Sequence, residues 1–115
     1  MSSSPADIAN DVPTPAVQAI ADSLAEMVVD YPSQDKALVM RAFETARRAH
    51  ADQQRRSGDP YISHPAAVAR ILHDLQLDAE AIAAALLHDV LEDTANNVTQ
   101  LRDDFGDPIA MLVEG

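Results

Sequence analysis

Apolar residues recur every three or four positions in the first half of the chain, which is the spacing of a helix with one buried face. The dipeptide Thr14-Pro15 predicts the start of a first helix, because Thr caps a helix and Pro fits its first position. The apolar face of this helix comprises Val17, Ile20, Ala21, Leu24, Met27 and Val28. Tyr31-Pro32 predicts its end. A second helix is predicted from Ser33, and its apolar face comprises Leu38, Val39, Ala42, Phe43 and Ala46.

The sequence pattern in the second half of the chain predicts four more helices. The sequence Ser63-His64-Pro65 is typical of a helix start, since Pro suits a first helical turn. The buried stripe of this third helix is predicted to comprise Val68, Ile71, Leu72 and Leu75. Asp78 can cap a fourth helix, in which Ala81–Leu87 is apolar nearly all round, as in the middle of a bundle. Short helices follow over 98–105 and from Pro108. No window alternates as a strand does, so the predicted fold class is all-α.

The composition indicates one small domain without a secretory or membrane segment. Residues 1–13 are rich in Ser, Asp, Asn and Pro and are predicted to be a flexible leader, which leaves 14–115 for the domain. The leader lacks the basic and apolar regions of a signal peptide, and no apolar run approaches the roughly 18 residues of a membrane helix. We therefore expect a cytoplasmic protein without a membrane partner.

The charge balance excludes one class of partner and limits the chemistry. Lys and Arg number 8 against 19 Asp and Glu, a net charge of −11, so we expect no nucleic-acid partner. An anionic substrate would have to be held locally, by a metal or a few arginines. The chain has no Cys, which leaves His and carboxylate side chains as metal ligands.

The segment HDVLEDT, residues 88–94, places four ionisable side chains directly after an apolar helix. Its His and Glu are four residues apart, as are its two Asp, so each pair shares one part of a helix surface. Burying this much charge beside Leu and Ala is costly without a cation, and His with carboxylate ligands suits Mn, Fe, Zn or Co. The alternative for this segment alone is a solvated helix end, just as an isolated His64-Pro65 is most often only a cap.

Two segments together resemble the hydrolase domain of the Rel/SpoT alarmone enzymes. They are RRSGDPYISHP at 55–65 and HDVLEDT at 88–94. The resemblance extends from about Val39 to Gly115. It is specific, because HD proteins in general share the His-Asp pair but neither the EDT extension nor the RSGDPY loop. It implies an all-α HD-domain bundle that hydrolyses the 3′-pyrophosphate of (p)ppGpp, giving GDP or GTP and pyrophosphate, in the stringent response.

The resemblance also implies roles for individual residues. His64, His88 and Asp89 would be ligands of one divalent ion, with manganese the usual ion of the family. Glu92 and Asp93 would polarise and deprotonate the attacking water.

Two arginines would bind the guanosine polyphosphate substrate. By the same resemblance, Arg55 and Arg56 would face the guanine and the phosphates, because guanidinium groups stack on bases and hold phosphate oxygens in a fork. Many family members have Arg-Lys at this pair, so Arg56 departs from the pattern while keeping the charge.

A larger departure concerns the fourth metal ligand, which in the family is an aspartate on a helix beyond the position of Gly115. We therefore expect the chain to be truncated before this helix and to be weakly active or inactive by itself. We also expect the apolar surface around Ala81–Leu87 to be left open and to drive self-association. The nearer aspartates are predicted to be solvated; they are Asp103, Asp104 and Asp107.

Two other functions stay open: a catalytically inactive helical regulatory or interaction fragment, and an HD phosphohydrolase for another nucleotide. The retained acid, base and ligand positions argue against the first, and the Arg-rich loop argues against the second. Two further histidines receive no catalytic role. His50, at the end of the second helix, is predicted to favour the negative end of the helix dipole or to flank the pocket, and His73 is predicted to be exposed.

Overall fold

A computed structural model of the protein describes residues 14–50, 60–88, 90 and 98–114. The predicted leader 1–13 and the predicted loop 51–59 lie outside these residues. In the part of the chain that is described, the regular structure is helical and includes no strand, which confirms the predicted all-α class. No helix there is both long and apolar enough to cross a membrane. The helices are α1 (Pro15–Met27), α2 (Ser33–Ala49), α3 (Ser63–Asp74), α4 (Ala79–Leu87), α5 (Val98–Phe105) and α6 (Asp107–Glu114).

Two helix starts follow from side-chain caps that the sequence predicted. Thr14 caps α1: its Oγ1 accepts a hydrogen bond from the backbone N–H of Val17 at 3.3 Å. Asp78 caps α4 in the same way, with its Oδ1 accepting from the N–H of Ala81 at 2.9 Å. Each cap satisfies one of the N–H groups that a helix start leaves without an intrahelical partner. Both predicted caps are thereby confirmed.

α4 lies in the middle of the bundle, where it packs against α2, α3 and α6. Its buried side chains are Ala79, Ile82, Ala83, Ala84, Leu86 and Leu87. The predicted central position is confirmed. The expectation of an open apolar surface around Ala81–Leu87 is wrong, because three helices of the chain already cover this surface. The large apolar side chains exposed in the described part of the chain are Val29, Ile71, Leu75, Leu77, Met111 and Leu112.

α3 buries a different face from the predicted one. Its buried residues are Pro65, Ala66 and Ala69. Of the predicted stripe, Ile71 and Leu75 are 58% and 66% exposed, and Val68 and Leu72 are half-buried. α3 packs against α1 and α4, and its small alanines allow those helices to approach closely. The bulkier Ile71 and Leu75 are consequently left on the outer side.

The last two helices form a hairpin that packs through α6 on α4. Gly106 joins them with a φ of +92°, a conformation that glycine adopts without steric cost. Arg41 of α2 reaches this hairpin: its Nη2 donates a hydrogen bond to the carbonyl oxygen of Asp104 at 2.6 Å, and its guanidinium carbon lies 5.0 Å from the centre of the Phe105 ring. The aspartates predicted to be solvated are exposed; they are Asp103, Asp104 and Asp107.

Candidate active site

His64 lies in the first turn of α3, and its side chain is exposed. Its backbone N–H donates a hydrogen bond to the carbonyl oxygen of Tyr61 at 3.1 Å. The residues near it in the same turn are anchored in the core, since Ile62 is 3% exposed and Pro65 is fully buried. The imidazole is therefore open to solvent on a backbone that the core holds in place.

His88 lies at the C-terminal end of α4, and its side chain is exposed as well. Its backbone is still helical, with φ −63° and ψ −34°. Leu86 and Leu87 before it and Val90 after it are all fully buried. The apolar core thus extends along α4 as far as the residue that carries the imidazole. This is the arrangement that the sequence predicted, with a polar group directly after a buried helix.

The two histidines are carried by two helices that pack against each other, His64 in the first turn of α3 and His88 directly after α4. α3 and α4 pack against each other, and only residues 75–78 connect them. In this connection Gln76 has a φ of +65°, and its N–H donates to the carbonyl oxygen of His73 at 2.9 Å. A left-handed residue of this kind ends a helix and turns the chain back. A short connection between two packed helices is typical of an antiparallel pair, so the convergence of the start of α3 and the end of α4 stays the prediction that the sequence made.

The remaining predicted site residues lie outside the part of the chain that the structure describes. They are Arg55, Arg56, Asp89, Glu92 and Asp93. Among the described residues, no three His, Asp or Glu side chains are grouped so that they could hold one metal ion. The described part of the candidate site is the two histidines, His64 at the start of α3 and His88 at the end of α4. Two exposed imidazoles fit a metal with nitrogen and oxygen ligands.

The last turns of α2 carry an ion-paired cluster that the sequence analysis did not assign. The Glu44 carboxylate accepts hydrogen bonds from the Arg47 guanidinium, at 2.9 Å from its Nε, and from Nε of Arg48 at 2.8 Å. Arg47 is only 6% exposed, whereas Arg48 lies at the surface. The hydrogen bond from Arg47 is the main cause that lowers the pKa of Glu44 below its usual 4.5, and burial opposes this effect. The cluster is therefore ionised at neutral pH.

His50 was predicted to flank the pocket or to favour the helix dipole, and it is in fact a buried residue, 3% exposed. Its ring centre lies 4.5 Å from that of Tyr61, with 26° between the ring planes. Sequence reasoning missed this contact, because it joins the end of α2 to the residues before α3. The positions of the two residues in the sequence do not indicate that their rings meet.

His73 was predicted to be exposed, but its side chain is half-buried at 31% exposure, so that prediction is wrong. The turn after α1 brings Tyr31 beside it, with 6.0 Å between the ring centres. Burial, followed by the negative charges of Asp35 and Asp78, raises the pKa of Tyr31 above 10.0. This group lies near the opposite end of α3 from His64 and is not part of the candidate site.

The class of the protein follows from a comparison with family models. The model described as "HD domain" matches residues 42–115, which is more than half of the chain. The chain belongs to the HD-domain family. Membership of this family implies a divalent metal, and His64 and His88 have the chemistry and exposure that such an ion requires.

Several curated proteins are similar to this chain over most of its length. "Probable GTP pyrophosphokinase" of Mycobacterium leprae is 52% identical over 85 residues, 74% of this chain and 11% of that protein. "Guanosine-3′,5′-bis(diphosphate) 3′-pyrophosphohydrolase" of Aquifex aeolicus is 43% identical over 96 residues, 84% of this chain and 14% of its own length. "Bifunctional (p)ppGpp synthase/hydrolase SpoT" of Escherichia coli strain K12 is 46% identical over 95 residues, again 14% of that protein. The chain thus spans about a seventh or less of the length of these relatives.

Proposed function

We propose that this chain belongs to a hydrolase domain that removes the 3′-pyrophosphate of (p)ppGpp, giving GDP or GTP and pyrophosphate. The observation that carries the proposal is that two exposed histidines, His64 at the start of α3 and His88 at the end of α4, lie on helices that pack against each other. Support comes from the names of relatives that are 43% and 46% identical, which are a 3′-pyrophosphohydrolase and a (p)ppGpp synthase/hydrolase. No observation favours the inactive fragment or another nucleotide as substrate.

The proposed metal ligands are His64, His88 and Asp89, and we propose Mn²⁺ as the ion. A mixed set of imidazole and carboxylate donors suits Mn²⁺, and the Rel/SpoT resemblance points to the same ion. When bound, the ion would stabilise negative charge on the phosphate oxygens. The contribution of the chain is to hold two imidazoles on helix ends that the core has already fixed, so little ordering is left for binding.

The proposed acid–base residues are Glu92 and Asp93. Their carboxylates would orient the attacking water and accept its proton as its oxygen bonds to phosphorus and the bond to the ribose 3′-oxygen breaks. Arg55 and Arg56 would hold the guanine and the phosphates, which compensates locally for the net charge of −11. This division gives each residue a different kinetic signature.

The partners and the location proposed from the sequence stay predictions. They are a guanosine polyphosphate substrate, no nucleic acid, no membrane and a cytoplasmic site of action. Self-association was expected through the surface around Ala81–Leu87, which is covered, so it stays a prediction without an assigned surface. Sedimentation velocity over a range of concentrations would test it.

The proposed activity is tested by product analysis with the complete protein that contains this chain. With Mn²⁺ present, ppGpp should yield GDP and pyrophosphate in equal amounts, EDTA should stop the reaction, and His88→Ala should abolish it. GTP and dGTP serve as control nucleotides that lack a 3′-pyrophosphate. Release of phosphate from these controls, with no pyrophosphate from ppGpp, would show that the substrate assignment is wrong.

A further inference from the structure

Two stacked rings connect the end of α2 to the start of α3. His50 is 3% exposed, and Tyr61 is half-buried. Their ring centres are 4.5 Å apart and their planes differ by 26°, which is stacking geometry. Stacked rings prefer defined distances and orientations, so this contact relates the position of Tyr61 to that of His50.

Tyr61 in turn is joined to His64 through the backbone. The Tyr61 carbonyl oxygen accepts the hydrogen bond from the N–H of His64 at 3.1 Å, so a shift of the Tyr61 peptide would shift the first turn of α3. Ile62 and Pro65 are buried and anchor the same turn to the core. Because the His64 side chain is exposed, its direction depends on the backbone that carries it more than on packing around the ring.

We propose that His50 is a positioning residue for His64, acting through its stack on Tyr61. This inference rests on the proposed function, in which His64 is a metal ligand. The stack holds the first turn of α3 in the orientation that lets the imidazole meet the other ligands. Residues that orient a ligand without touching the metal typically change metal affinity by about 10-fold to 100-fold when they are replaced. A residue that only fills the core would instead change stability alone.

The test measures by calorimetry the affinity for Mn²⁺ of the complete protein that contains this chain. His50→Ala and Tyr61→Ala should each lower the affinity about tenfold. The double variant should lose no more than either single variant, because both remove the same stack. His50→Phe and Tyr61→Phe keep a ring in place and should restore most of the affinity. If His50→Ala does not fold, Tyr61→Ala carries the test, since Tyr61 is only half-buried.

A core variant of the same helix separates positioning from stability. Phe43 of α2 is 2% exposed, so Phe43→Leu should lower the free energy of unfolding while leaving the stack intact. Its affinity for Mn²⁺ should equal that of the unaltered chain. The positioning role is refuted if His50→Ala lowers the affinity no more than Phe43→Leu does, or if the Phe replacements at the stack restore nothing.

Hydrogen exchange of the metal-free chain distinguishes failure of this inference from failure of the proposed function. Residues 60–66 should exchange faster in His50→Ala than in the unaltered chain, while α4 should be unaffected. An unaltered chain that binds no Mn²⁺ would contradict the proposed metal site but not the stack. In that case unchanged exchange over 60–66 in His50→Ala would overturn the positioning role, and faster exchange would support it.

Discussion

The carboxylate of Asp78 accepts a hydrogen bond from the backbone N–H of Ala81 at 2.9 Å and so caps α4, against which α2, α3 and α6 pack. Replacing the cap with Ala leaves that N–H without its partner, so Asp78→Ala should lower the free energy of unfolding by about 1 kcal/mol. Urea denaturation measures this change. Asp78→Asn keeps a capping oxygen and should lose much less. Equal stability of the Ala and Asn variants would show that the cap contributes nothing.

We expect replacement by Ala to affect stability strongly at one leucine, on α4, and weakly at another, after α3. Leu86 is fully buried, so Leu86→Ala removes packed methyl groups and should cost about 2–5 kcal/mol of unfolding free energy. Leu75 belongs to the stripe that the sequence predicted to be buried, but it is 66% exposed. Leu75→Ala should therefore change stability by no more than about 0.5 kcal/mol. A large loss of unfolding free energy in Leu75→Ala would show that Leu75 is buried, as the sequence predicted.

The ion-paired cluster on α2 predicts a pH-dependent contribution to stability. The pKa of Glu44 is lowered in the folded state, mainly by its hydrogen bond with Arg47. A lowered folded-state pKa gives stability that is present above the usual value of 4.5 and is lost as the pH falls through the folded-state pKa. The difference in unfolding free energy between the unaltered chain and Glu44→Gln should therefore shrink as the solution is acidified from neutral pH.

Arg48 provides the control for this measurement. It pairs with the same carboxylate from the surface, where its side chain is 63% exposed, and salt screens such pairs. In an Arg48→Gln background, Glu44→Gln should keep most of its pH dependence, because Arg47 is the larger cause of the lowered pKa. A pH-independent difference in either background would contradict the role assigned to the cluster.

The parts of the fold that local chemistry determines were predictable, and the parts that neighbours determine were not. Thr14 and Asp78 could be assigned as caps because each acts on an N–H three residues away. The buried face of α3 could not, since Ala66 and Ala69 recur at helical spacing just as Ile71 and Leu75 do. Which stripe is buried depends on how closely α1 and α4 approach, and the sequence does not state that distance.

The candidate site likewise has features that local sequence signals predict and features that depend on helix packing. His64 and His88 could be singled out because each stands at a helix end that local signals predict, and the short connection between α3 and α4 predicts that these ends meet. The stack of His50 on Tyr61 could not be predicted, because it depends on how α2 packs relative to the start of α3. A buried histidine at a helix end carries no sequence signal that separates it from an exposed one.

The proposed division of labour predicts three different kinetic signatures in the complete protein. Glu92→Gln keeps the size of the side chain but removes the charge that would accept a proton, so hydrolysis of (p)ppGpp should fall by about 10²–10⁴-fold while Mn²⁺ and nucleotide still bind. Asp89→Asn removes a charged ligand, so Mn²⁺ affinity should fall together with activity. Arg55→Ala should chiefly raise KM. If Glu92→Gln keeps near-normal turnover, the activation of water must be assigned to Asp93. Full activity in all three variants would refute the roles assigned to these residues.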